Sequence, residues 1–181
     1  MSGAPPKVPA IFAGQVVTSA QMNALSAVAN FLINLKPVAY VQASTSTTQA
    51  MSGATSISFP TKIRDSDGMW NSGSPTLLTV QTPGYYRVAY YVPHAAVASI
   101  SYVKFTAGTN NPQYPTTKLC WSGSAQGSAA VVCCGAAGVV PVYMYLGDTV
   151  EVVVTPGSAV STDFATIAPA SFSMEFVSAG Y

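Results

Sequence analysis

From residue 38 onward the chain repeatedly alternates apolar and polar positions with a period of two. In SFSMEFV, Phe172, Met174 and Phe176 fall on one side and Ser171, Ser173 and Glu175 on the other. That is the pattern of a strand with one face on a core and one in water. YYRVAYYV sets Tyr86, Val88, Tyr90 and Val92 against Tyr85, Arg87, Ala89 and Tyr91, and TVEVVVT sets Val150, Val152 and Val154 against Glu151, Val153 and Thr155. Further short strands are expected at 38–43, 55–60, 76–81, 99–105, 117–121, 129–134 and 140–146. Turn chemistry separates them at Asp67-Gly68, Pro83-Gly84, Asn110-Asn111-Pro112, Gly147-Asp148 and Pro156-Gly157. About eight to ten strands with no helix between them predict a mainly β domain over 38–181, an antiparallel β-sandwich or jelly roll. No repeat of fixed period is present, which argues against a propeller or β-helix.

Ahead of the strands the period is helical. Thr18 has the N-cap side chain, Gln21 stands three places on to complete a capping box, and Val17 and Met22 occupy the hydrophobic-staple positions. Met22, Leu25, Ala29 and Leu32 then form a stripe that Val28, Phe31 and Leu35 widen. Lys36-Pro37 is the expected stop, because a cation suits the last turn and proline cannot continue the helix. Before the helix, Pro5, Pro6 and Pro9 suit an extended arm lying on a surface. Residues 1–37 therefore read as an arm and one α-helix preceding the sandwich. The helix either completes the sandwich core or docks elsewhere. Its stripe of Val17, Met22, Leu25, Ala29, Leu32 and Leu35, with Ala20, Ala24 and Ala27 permitting close approach, favours docking on sister helices or a larger assembly.

Composition sharpens this. Only 7% of residues are charged, 49% are hydrophobic and the formal net charge is +1. The polar surface must be built from Ser, Thr, Asn and Gln, and some apolar surface is expected to be hidden against other copies or another protein. No window approaches the roughly 18 to 20 apolar residues of a spanning helix. A membrane barrel is disfavoured for want of regular long strands with aromatic girdles. The N-terminus has no continuous apolar run of the secretory kind, so synthesis in a cytoplasm without a secretion signal is expected. Seven Lys plus Arg, with no basic run, argue against nucleic acid as a partner.

Candidate chemistry is sparse. His94 is the sole histidine, and Cys120, Cys133 and Cys134 lack metal-ligand spacing and read as small buried hydrophobes. RDSDGMW begins like a calcium loop with Asp65, Asp67 and Gly68, but its twelfth position is Thr76, so a turn is the simpler reading. No nucleophile elbow, phosphate loop or dinucleotide fingerprint occurs. Asp148 and Glu151 read as a turn residue and a solvent-face strand residue, not a glycosidase pair. No enzyme, metal or cofactor is expected. The aromatic residues are the candidates for binding: parity puts Tyr85 and Tyr91, or Tyr143 and Tyr145, on an outer face, where they line a subunit interface or a binding surface.

Two resemblances complete the picture. TVQTPGYYRVAYYV, then MYLGDTVEVVV, then ASFSMEFVSAG resemble the jelly-roll heads of complement and tumour-necrosis-factor type, through Gly84, Tyr85, Tyr86, Val88, Gly147, Asp148, Val150, Ser171 and Phe172. FAGQVVTSAQMNALSAVANFL, with Gly14, Val17, Thr18, Ala20, Asn23 and Phe31, is similar to the N-terminal segment of tailed-phage virion proteins, often minor tail proteins. Together they imply a virion structural protein that forms a homotrimer through its jelly roll and attaches to another virion protein through its arm, with no membrane or nucleic acid partner. Capsid decoration or a head-fibre-like role is expected, with a minor tail component or a receptor- or glycan-binding module as alternatives.

Overall fold

The computed structural model describes residues 6–7, 10, 14, 16–31, 36–43, 48–92, 99–106, 118–125, 141–157, 160–163 and 169–179. The elements in chain order are α1 (Ser19–Asn30), β1 (Val38–Gln42), β2 (Thr48–Met51), β3 (Thr55–Ser56), β4 (Thr61–Asp65), β5 (Leu78–Thr79), β6 (Gly84–Tyr91), β7 (Ser99–Thr106), β8 (Lys118–Ala125), β9 (Val142–Met144), β10 (Thr149–Pro156), β11 (Val160–Asp163) and β12 (Ser171–Ser178).

Two sheets make the sandwich. One has the order β4-β1-β12-β6-β9; the other has β3-β10-β7-β8, with β5 also on β10. β11 and β2 pair separately. Every recorded pairing is antiparallel. The alternation read from the chain fills the space between the sheets. Tyr86, Val88 and Tyr90 of β6 and Phe172, Met174 and Phe176 of β12 face Val150, Val152 and Val154 of β10 and Val103 and Phe105 of β7 in one core. Ring pairs reinforce it, Phe59 on Phe172 at 5.5 Å and Tyr86 edge-to-face on Phe176 at 5.6 Å. Tyr86 brings its hydroxyl inside because it donates to the Thr82 carbonyl, so no buried donor is left unpaired.

Thr18 caps α1 as expected: its hydroxyl accepts from the Gln21 amide at 3.2 Å while its own N–H donates to the Gln21 side chain at 2.9 Å. Phe31 is the C-cap, still in right-handed helical geometry. Leu32, Leu35 and the approach to the Lys36-Pro37 stop lie outside the described residues, as do His94, Cys133, Cys134 and the strand expected at 129–134.

β10 corrects one expectation. Parity places Glu151 and Val153 away from the core, yet they are only 8% and 3% exposed, so β10 is buried on both faces. Glu151 is not a solvent-face residue. Its carboxylate accepts from the Ser56 hydroxyl of β3 and pairs with Lys104 of β7, its neighbours on either side. A charge can leave water here because both oxygens find donors.

Candidate functional site

The outer face of the five-stranded sheet gathers the binding candidates. Register sets Tyr85 directly opposite Tyr143. Their rings meet edge-to-face at 5.1 Å, and Tyr143 meets Tyr145 in the same way at 5.0 Å. Three of the four expected tyrosines thus form one cluster at the β6–β9 edge. Tyr91 lies at the far end of β6 opposite Ser171, roughly 20 Å along the strand, and is not part of it. Val177, 41% exposed, lies beside Ser178, which pairs with Tyr85, so the cluster continues as apolar surface onto β12.

Helix α1 meets this sheet at its C-terminal end. Phe31 stands edge-to-face on Phe176 at 5.7 Å, and the chain then reaches Lys36, whose ammonium pairs with Glu175 at 2.6 Å. No residue of α1 is buried: Met22 is 54% exposed, Ala29 is exposed and Leu25 half-buried, and Val17 just ahead of the helix is 41% exposed. Apart from Phe31, which packs on the core, no described stripe residue is buried: Val17, Met22 and Ala29 are exposed and Leu25 and Val28 half-buried. Back along the arm, the Gln21 side-chain amide donates to the Ala10 carbonyl at 3.2 Å, so the same side chain that closes the cap holds a point of the arm to the helix.

Around Glu175 the sheet is cationic. Lys36, Arg87 and Arg64 all hold its carboxyl below the usual range, the Lys36 hydrogen bond foremost. Arg87 is its cross-strand neighbour on β6, and Arg64 stands on β4 opposite Tyr40. Sequence reading missed Arg64 and Lys62, because TKIRD has no alternation to announce a strand; a Lys-x-Arg spacing was the signal available.

RDSDGMW is a turn. Asp65 accepts from the N–H groups of Met69 at 2.9 Å and Trp70 at 3.1 Å, and Gly68 takes the left-handed conformation, φ 71°. Asp67 has a buried oxygen, Oδ2, without a hydrogen-bond partner. Burial pushes its carboxyl up from the ordinary value, with the Asp65 charge adding and a Thr82 hydrogen bond opposing. The folded chain therefore holds this proton to higher pH than the unfolded chain. The penalty for ionised Asp67 is absent at low pH and grows as pH rises through the folded value. Asp67→Asn should raise stability near pH 7 by about 1 kcal/mol and gain nothing near pH 4. Urea melts at the two pH values check this; equal effects at both would show that ionisation is not the cause.

Among the described residues no group of three or more His, Cys, Asp or Glu is placed to hold a metal ion. Cys120 sits in β8 opposite Val103. What the arrangement can do is make contacts, through an aromatic edge, a cationic sheet face and a partly uncovered helix.

No family model matches the sequence, and no curated protein matches it. Among solved structures the chain is similar to the globular domain of the zebrafish complement 1qA protein, with a TM-score of 0.58 and 15% sequence identity over 78% of this chain and 98% of that one. At that identity the likeness concerns the fold alone: this chain is an antiparallel jelly-roll β-sandwich.

Proposed function

We propose that this chain is a non-enzymatic structural protein of a tailed-phage virion, assembling as a homotrimer and displayed as a capsid decoration or head-fibre-like protein. The observation that carries the reading is α1. It is capped at its start and fastened at its end by Phe31 on Phe176, yet Val17 and Met22 lie open along its described stripe. A helix built that way supplies a docking surface rather than core. The tyrosine cluster at the β6–β9 edge adds aromatic contact area for a neighbouring copy. The virion assignment is supported by the likeness of residues 12–32 to phage virion arms, and residues 1–37 act as the anchor. A minor tail component would use the same anchor at a different place on the particle.

Light scattering on a sizing column should give about three times the mass of the 18.6 kDa chain. Because the contacts are apolar, that mass should hold between about 50 and about 500 mM salt. Met22→Glu, at an exposed position of the anchor, should leave that mass and the melting curve unchanged while weakening attachment to the particle. A monomer at every concentration would overturn the trimer. An antibody to the chain should label purified phage particles carrying it, on the shell for decoration and at the tail for the alternative. Its absence from particles would remove the virion reading whatever the mass.

A further inference from the structure

The net charge of +1 conceals an asymmetry between inside and outside. Lys62, Arg64 and Arg87 are exposed, whereas every carboxylate with a described side chain is engaged or withdrawn. Asp65 is spent on backbone N–H groups, Asp67 is half-buried, and Asp148 and Glu151 are 4% and 8% exposed. Glu175 is the most open, its side chain 45% exposed, and it already pairs with Lys36. On the outer face of the five-stranded sheet three cations, Lys36, Arg64 and Arg87, surround that one carboxylate, leaving a surplus of two positive charges (three less one). Among the described residues neither Arg64 nor Arg87 makes an ion pair.

Among the described residues a second copy offers no free carboxylate, because the same ones are engaged or withdrawn in every copy. The surplus is also too small for duplex nucleic acid, which takes about 6 to 10 phosphate contacts, or for an anionic bilayer, which takes clusters of about 4 to 8 cations. The setting of the two arginines narrows the partner further. Along β6 the outward residues run Tyr85, Arg87, Ala89, Tyr91, and Arg64 stands opposite Tyr40. Between them the small side chains of Ala89 and Ser173 stand opposite each other. Cations flanked by tyrosine rings on a flat face suit a chain of acidic sugars, whose carboxylates pair with guanidinium groups while their rings lie on aromatic ones.

We propose that this face binds an acidic polysaccharide, with uronate carboxylates on Arg64 and Arg87 and sugar rings against Tyr40 and Tyr91. The site shares the outer face with the Tyr85–Tyr143 cluster but uses neither that cluster nor the helix stripe, so its test is read separately from the mass and the particle labelling.

The test uses the full chain and sodium polygalacturonate, with neutral dextran, duplex DNA and phosphatidylglycerol vesicles as comparisons. Polygalacturonate should bind at low salt and weaken as salt rises, and dextran should not bind. Arg64→Gln combined with Arg87→Gln should weaken binding about tenfold with mass and melting temperature unchanged. Lys7→Gln, an exposed cation outside the sheet, should change nothing. No binding at low salt, or binding that the double substitution leaves intact, overturns the site. Equal binding to DNA or to vesicles overturns the choice of polysaccharide.

Discussion

Gly84→Ala is expected to cost about 3 kcal/mol and to lower the melting temperature by roughly 6 to 12 °C. Gly84 opens β6 opposite Met144, and a Cβ there would stand 2.3 Å from Cε2 of Phe176 and 2.7 Å from the Ser178 carbonyl oxygen. The second obstacle is backbone and cannot rotate away. The first is a ring held between Tyr86 at 5.6 Å and Phe31 at 5.7 Å, so moving it gives up both contacts. The strand ends would have to part, and with them the seat of α1. Gly147→Ala makes the contrast: φ is 86° but nothing lies within 4 Å of the added carbon, so only the left-handed conformation is penalised, by about 1 kcal/mol. Chemical denaturation of the two variants should rank them in that order. A loss below about 0.5 kcal/mol at Gly84 would mean that β6 and β12 can slide apart without cost.

The Gly84 case also shows which parts of this molecule were readable from the chain. Alternation in β6, β10 and β12 announced the core because each strand carries its own apolar face. Capping chemistry announced the start of α1 because the reciprocal Thr18–Gln21 bonds that close the cap span only three residues. What depended on a partner was not readable. β4 is TKIRD, exposed over its first four residues, and is a strand because β1 offers it an edge. β2 and β11, TQAM and VSTD, are short segments that pair only with each other in the described sheets. Parity set Tyr85, Tyr91, Tyr143 and Tyr145 outward, but only the register of β6 against β9 brings three of them together. Likewise Lys36, Arg64 and Arg87 are too far apart in sequence to look like a patch. Long-range pairing made the site; local pattern supplied its parts.

Glu151 is where that difference can be measured. Its two oxygens join three adjacent strands, one to the Ser56 hydroxyl on β3 and one to the Lys104 ammonium on β7. Glu151→Ala leaves an ammonium and a hydroxyl without their acceptor and opens a void at a site 8% exposed. Loss of one partner from a fully buried pair costs about 3 to 5 kcal/mol. The Lys104 side chain is 36% exposed and can turn partly to water, so the expected loss here is about 2 to 3 kcal/mol. Glu151→Gln keeps the shape and an acceptor for Ser56 and should cost about half as much. Pairing Glu151→Met with Lys104→Met should restore much of the stability lost in Glu151→Ala, since the apolar pair leaves no charge stranded beside Val153. Urea titration of the wild type, both single methionine variants and the double gives the coupling directly. Additive losses would show that the carboxylate and the ammonium are merely neighbours, and that the burial of β10 on its second face rests on packing around Val153 alone.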